Sequence, residues 1–408
     1  MTHDRNPAPT APAAHRAFAD ARLREGMERA GIDALIALGP ENFYYLTGYT
    51  SALLQHTRLA GSSIGMLLRD PDRPRVVIDM EFMAATYASA DSGLALTTYP
   101  TWTYVENPYD WPGVELDPEL STEISVEKAI GRLAGVLAKQ TGVKRIGVDL
   151  AGVQHTTWQA LVEMLPDFEI VDAGEIFSNA QAIKSEWEIE QIVCATNITT
   201  RALTRTAEYL GAGMTAKEVH RRFVAECFAD PETTGLRFAF WSVGADFSST
   251  VSNHREVPAK TGDLIKFDGG AEHRGYGADF ARGFCVGEPD SRTADTYAAL
   301  QEAQRTLVAG AELGRPLADM YTEAMDVARR GIPQYRRGHL GHSTGLSVEM
   351  APHVSAHETA VIEPGMVLSL ELPYYGYGVG AINIEDMVVA SSDGVRVITP
   401  MTKELVRV

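Results

Sequence analysis

The stretch 264–285, LIKFDGGAEHRGYGADFARGFC, places two apolar arms around a glycine-rich centre, and each arm carries an aspartate. LIKFDGG (264–270) reads as a strand holding Asp268, and Asp279 follows eleven positions later. Gly269, Gly270, Gly275 and Gly277 favour a bend between them, which lets the arms pair and brings the two carboxylates together. Further along, MVLSLEL (366–372) holds Glu371, and AINIEDMVVA (381–390) holds Glu385, fourteen positions after Glu371. A carboxylate inside an apolar strand is costly to bury unless it is paired, protonated or bound to a cation. Taken singly, each residue has an ordinary reading: Asp268 as a turn residue, Asp279 as a partner of Arg282, Glu371 and Glu385 as edge charges, His342 as a loop histidine. Taken together, four carboxylates and the imidazole of GHSTG (341–345) form a ligand set. Oxygen donors with one nitrogen suit Mn, Fe, Co or Zn, and four carboxylates balance two divalent ions. Two such ions share a water, lower its pKa and polarise a carbonyl, which is the machinery for attacking an amide at neutral pH.

Around this stretch the pattern divides the chain. Its 408 residues are long for one core, so two domains are expected. Residues 1–16, rich in Pro and Ala, read as a flexible tail. Residues 17–177 alternate helix and strand as an α/β domain. AFADARLREGMERAG is an amphipathic helix stopping at Gly31, and ALIAL (34–38), IGMLL (64–68), RVVIDM (75–80) and RIGVDL (145–150) are short strands. The aromatic segment 101–113 reads as an ordered loop. Residues 178–408 form an α+β domain, opened by the capping boxes Ser185/Glu188 and Thr215/Glu218.

The net charge, 36 − 54 = −18 with neutral histidines, argues against nucleic acid and against anionic membrane surfaces. No apolar run is long enough to span a bilayer, and the N-terminus lacks a hydrophobic signal core. Cys194, Cys227 and Cys285 are scattered with no CxxC pair, which argues against a thiolate zinc site and suggests no disulfide framework. The expected location is cytoplasmic.

With these residues in view, FDGGAEHRGYGADFARGFCVG resembles the D-x-G-x-x-x-x-G-Y-x-x-D-x-x-R segment of the pita-bread metallopeptidases. GHSTGL resembles their GHGxGL motif, EPGMVLSLELPYY their PGM-V-x-x-x-E-P segment, and INIEDMVV their final R-x-E-D strand. The spacings of 11, 63, 29 and 14 resemble those of the prolidase branch. ENFYYLTGY (41–49) and IKSEWEIEQI (183–192) resemble signatures of prolidase, aminopeptidase P and creatinase, and argue against methionine aminopeptidase. The resemblance covers most of the chain. It implies a pita-bread catalytic domain behind a creatinase-type N-terminal domain, with two divalent ions on Asp268, Asp279, His342, Glu371 and Glu385. It further implies Glu371 as proton shuttle, His254 as a contact to the substrate or its oxyanion (its ordinary alternative being a solvent-facing loop histidine), and a homodimer, for which Trp102, Tyr104, Tyr109 and Trp111 are candidate contacts, their ordinary alternative being a locally packed surface loop.

Three positions depart from the family pattern. Glu349 stands where a second histidine is usual, Ala281 where a threonine is usual, and Asn383 where an arginine is usual. Glu349 is the candidate general acid or clamp for a cationic substrate group, its ordinary alternative being a salt bridge to an arginine. The expected function is hydrolysis of an Xaa-Pro dipeptide or short peptide by a metal-bridged hydroxide. The alternatives are a non-peptidase acting on a small metabolite, in the manner of creatinase, an ectoine hydrolase or a dimethylsulfoniopropionate lyase, and a catalytically inactive binding module.

Overall fold

The computed structural model describes residues 11–87, 93–103, 121–244 and 249–408. They divide into two compact units, one ending at Gln181 and the other running from Ala182 to Val408. No described helix is long and apolar enough to cross a membrane.

The first unit opens on the helix Ala13–Ala30, four residues earlier than its sequence suggests. Pro12 precedes the first helical residue, where its fixed φ and missing N–H cost nothing. His15, Ala19, Leu23 and Met27 then fall on one buried face at four-residue intervals. Residues 13–16 are therefore helix rather than tail. The strands are β1 (Ala34–Ala37), β2 (Ile64–Leu68), β3 (Arg75–Met80), β4 (Leu94–Tyr99), β5 (Arg145–Val148) and β6 (Glu169–Asp172), in the order β4-β3-β2-β1-β5-β6. The sheet is mixed, antiparallel at β1–β2 and β2–β3 and parallel elsewhere. The unit extends past residue 177 because the helix Gly174–Ala182 packs into it through Phe177 and Ala180. The carbonyl of Ala180 also accepts from Tyr45 Oη and Arg22 Nε, both at 3.1 Å.

The signature ENFYYLTGY forms the helix Pro40–Thr47, buried from Phe43 onward. Its N-terminus is held by Asp149, just past β5. The carboxylate accepts from the backbone N–H of Leu38 at 2.6 Å and of Gly39 at 3.0 Å, and from Asn42 Nδ2 at 2.9 Å. Trp102 is half-exposed and packs against Phe82; Tyr104, Tyr109 and Trp111 lie outside the described residues.

In the second unit the path β12-β11-β13-β16-β10-β8-β7 runs through β7 (Gly235–Val243), β8 (Leu264–His273), β10 (Phe280–Cys285), β11 (His339–Ser343), β12 (Met350–Ser355), β13 (Val367–Glu371) and β16 (Glu385–Ser391). Every pair along it is antiparallel. Three short strands attach to it: β9 (Tyr276–Gly277), β17 (Gly394–Val397) and β18 (Val406–Arg407), while β14 (Tyr374–Gly376) and β15 (Gly380–Ile382) pair separately. The helices Ser291–Ala309 and Leu317–Gly331 share a core with β13 and β16, built on Leu300, Leu307, Met320, Leu368 and Val388. Both capping boxes read from sequence close, at Ser185/Glu188 and Thr215/Glu218.

Asp149 generates a stability prediction. Asp149→Ala leaves two backbone N–H groups without their acceptor, which costs about 1–3 kcal/mol in urea unfolding. Asp149→Asn, which keeps one acceptor oxygen, costs less. A loss for the alanine variant no larger than about 0.5 kcal/mol, the scale of a neutral surface change, would remove the anchoring role.

Candidate metal centre

The bend expected between Asp268 and Asp279 is a two-residue turn at Arg274 and Gly275, both with positive φ, between the paired residues His273 and Tyr276. That is the backbone of the hairpin turn whose twist matches its strands. The returning strand β10 then sets Ala281 opposite Asp268. Ala281 also faces Glu385 on β16, and Glu385 faces Glu371 on β13. Asp268, Ala281, Glu385 and Glu371 thus form one row across four strands. Side chains alternate along a strand, so Asp279, two residues before Ala281, points to the same face. His342 lies opposite Ser369, two residues before Glu371, and joins that face as well. Gly341 makes this possible: its φ is +149°, and an added Cβ would sit 2.2 Å from the Ser369 carbonyl.

All five residues singled out as metal ligands therefore meet on one face. Asp279, His342, Glu371 and Glu385 are buried and Asp268 nearly so. One donor atom from each of Asp279, His342 and Glu385 lies within 4.8 Å of the others, close enough to hold one ion. His342 Nε2 is 3.6 Å from Asp279 Oδ2. Burial, followed by the charges of Asp268, Glu371 and Glu349, pushes the Asp279 carboxyl well above the usual range. Burial, then Asp279, Asp268 and Glu371, does the same to Glu385. Carboxylates this crowded ask for a cation.

The row is braced from behind. Arg282, fully buried, donates to Asp386 at 2.6 Å and to the Glu385 carbonyl at 2.6 Å. Arg282 thus pairs with Asp386, not with Asp279. Burial alone would raise the Asp386 carboxyl, but Arg282 and Lys403 hold it below its usual range. Ser369 Oγ donates to the Asp279 carbonyl at 3.0 Å.

The departures from the family pattern also acquire places. The Ala281 methyl lies between Asp268 and Glu385, where a hydroxyl would otherwise stand. Asn383 Nδ2 sits 3.3 Å from Glu371 and 3.4 Å from both Asp268 and Glu385, so one amide faces three carboxylates. Glu349 is exposed, and its Oε1 lies 3.5 Å from Nε2 of both His339 and His353. Among the described residues it pairs with imidazoles, not with an arginine. His254 is exposed, and no hydrogen bond or ion pair joins it to the five among the described residues. Its neighbour Asn253 is nonetheless tied to β7 at Ala239 and Trp241, flanking Phe240, the cross-strand partner of Asp268.

Lys266, Arg337 and His339 reach the centre without standing out in the sequence. Lys266 Nζ donates to Asp268 Oδ2 at 3.0 Å, and Arg337 Nη2 donates to Glu371 Oε1 at 2.6 Å. His339 Nδ1 is 3.8 Å from the same Glu371 oxygen. Lys266 does have a signal, because i and i+2 share a strand face and LIKFD places it beside Asp268. Arg337 lies in the irregular approach to β11, and His339 is the first residue of β11, just before a register shift against β12, so no periodicity points to either. Arg337 and Tyr375 border a cleft of about 740 Å³ lined also by Tyr335, Pro373 and Tyr374.

Residues 190–392 match the model of Metallopeptidase family M24, and residues 21–183 that of the Creatinase/Prolidase N-terminal domain. The chain is 26% identical to the Xaa-Pro dipeptidase of Pyrococcus horikoshii over 299 residues, 72% of this chain and 84% of the relative. It is 28% identical to the uncharacterized peptidase YqhT of Bacillus subtilis over 279 residues, 65% and 75% of the two chains. The solved Xaa-Pro dipeptidase from Bacillus anthracis shares the fold, with a TM-score of 0.77 at 22% identity, over 96% of this chain and 100% of the other.

The raised carboxyls imply a pH effect on the metal-free protein. Where the unfolded carboxyls are ionised and the folded ones still hold protons, folding takes up protons, so stability falls as pH rises. That window opens above the ordinary carboxylate pKa of about 4. At pH 8 a chelated Asp279→Asn/Glu385→Gln double variant should therefore be more stable than chelated wild type, and the gap should shrink toward pH 5. A gap that stays constant across this range in urea unfolding would contradict the crowding.

Proposed function

We propose, from the premise that the chain belongs to metallopeptidase family M24, that it is a metal-dependent hydrolase of the Xaa-Pro type acting on a dipeptide or short peptide. That family implies divalent metal ions, and Asp279, His342 and Glu385 are the candidate place for one. In this reading Asp268 and Glu371 complete a site for two ions of the Mn, Co, Zn or Fe kind, whose identity the donor set leaves open. The donors fit: they are oxygen-rich and converge on one sheet face, and burial with the neighbouring charges pushes the Asp279 and Glu385 carboxyls well above their usual range. The convergence of Asp279, His342 and Glu385 is the observation that carries the proposal. When bound, the ions supply a water acidic enough to attack at neutral pH and an electrophilic contact for the scissile carbonyl.

The chain's own groups do the rest. Glu371, oriented by Arg337 at 2.6 Å, takes the proton from the attacking water and passes it to the leaving nitrogen. His254 steadies the developing oxyanion from the loop that Asn253 pins over β7. Glu349 provides a general acid, or a clamp for a cationic group, at the rim. The cleft beside Glu371, about 740 Å³, is of a size that holds a short peptide. The active form is a homodimer, in keeping with the creatinase-type domain and the exposed Trp102.

A second reading, a non-peptidase opening the amide of a small metabolite, is favoured by Glu349 and Asn383, which replace the residues a peptidase of this pattern carries. Metal analysis followed by a substrate panel separates the two. Chelation should abolish activity, and Asp279→Ala should lose metal and turnover together. Full activity in metal-free protein would falsify the hydrolase reading. Cleavage of Xaa-Pro dipeptides or tripeptides supports the first reading, and cleavage confined to cyclic amides supports the second. Glu349→Gln should keep its metal and lose about a hundredfold in turnover. A variant within a fewfold of wild type removes Glu349 from the mechanism. Light scattering should report a dimer at micromolar concentration, and a monomer there would remove the quaternary part.

A further inference from the structure

Lys266 is a cation built into one side of the carboxylate row. Its side chain is wholly buried, its Nζ lies 3.0 Å from Asp268 Oδ2, and it shares a strand face with that aspartate. The ring of Tyr375 covers the ammonium at 5.9 Å. A surface lysine would swing into water as another cation approached, but a lysine with no exposed area has no such path.

The arrangement splits the ligand set in two. Donor atoms of Asp279, His342 and Glu385 already lie within 4.8 Å of one another. Asp268 stands outside that group, turned toward Lys266, while Glu371 is engaged by Arg337. Arg337 is partly exposed and can withdraw, whereas Lys266 cannot. A dication that draws on Asp268 must therefore enter beside a fixed positive charge, in a setting where water screens little.

We propose that Lys266 is an internal counter-cation of the Asp268 side, so that the centre takes a first divalent ion tightly at Asp279, His342 and Glu385 and a second one, needing Asp268, much more weakly. The inference rests on the metal reading above. It makes Lys266 a determinant of metal stoichiometry: at low metal the protein carries one ion per chain.

The test is titration of the chelated full-length protein with Mn²⁺ at one fixed pH, followed by calorimetry and by electron paramagnetic resonance. Wild type should bind a first ion with the six-line signal of isolated Mn²⁺ and a second about a hundredfold or more weaker, with exchange-coupled features appearing only then. Lys266→Met and Lys266→Gln remove the charge, the second keeping a hydrogen-bonding group, and circular dichroism selects whichever is folded. In a folded variant the second dissociation constant should tighten about tenfold or more, with the first changing less than about threefold. An unchanged second constant, loss of the second ion, or tightening of the first ion alone overturns the role of Lys266 and leaves the metal centre standing. Wild type that takes up no ion overturns the metal reading and this inference with it.

Discussion

Mutual repulsion among four carboxylates on one face of a buried sheet is the constraint around which the second unit is built. Two unit charges 4 Å apart interact by about 4 kcal/mol at the effective dielectric of a protein, and this row holds several such pairs. Nothing in the carboxylates holds them together, so the backbone must. The register does so by making Asp268, Glu385 and Glu371 members of one cross-strand row, which cannot disperse without unzipping β8, β10, β16 and β13. The buried Arg282–Asp386 pair behind the row clamps β10 to β16 next to Glu385. Such a pair stabilises little against an apolar substitute, but it fixes register, which is what the site needs.

The same repulsion explains the cations around the row. Where the family pattern carries an arginine two residues before Glu385, this chain has Asn383, whose neutral amide faces three carboxylates. Positive charge has not been lost from the site but arrives from other elements. Lys266 brings it from β8 to Asp268, and Arg337 brings it from the approach to β11 to Glu371. The two ends of the row are thus paired with charged groups, while in its middle Asp279 and Glu385 stay well above the usual carboxylate range although the charge of Lys266 eases both. The Ala281 methyl between Asp268 and Glu385 adds no hydrogen bond to either.

The five residues that converge on one sheet face could be singled out in the sequence because the four carboxylates interrupt or flank strand-like apolar runs and His342 stands in GHSTG, at separations a known family shares. The α/β and α+β units were legible for the related reason that helix and strand periods, and the two capping boxes, are local. What was not legible was nonlocal. No spacing says that Asp268 faces Ala281 rather than Asp279, since that depends on the positive-φ turn at Arg274 and Gly275. The helix beginning at Ala13 was obscured by the Pro/Ala composition before it, although Pro12 suits a helix start. Arg337 reaches Glu371 from the irregular approach to β11, and His339 from the first residue of β11 beside a register shift, where side-chain directions are set only by tertiary packing.

The rim differs from the row in kind. On one side Glu349 stands between His339 and His353 with more than half of its side chain exposed, and its charge is nonetheless felt by Asp279. On the other, Arg337 and three tyrosines line the cleft beside Glu371. Burial pushes His339 toward its neutral form while the nearby Glu371 opposes this, so the imidazole is poised by two carboxylates on opposite sides. The row is fixed by backbone register and tolerates little change, whereas the rim hangs on side chains from a loop and from the edge strand β12. Row and rim are therefore parts of the fold with different freedom to vary. The departures differ in place: Glu349 sits at the rim, beside His339 and His353, whereas Asn383 is buried within the row against three carboxylates.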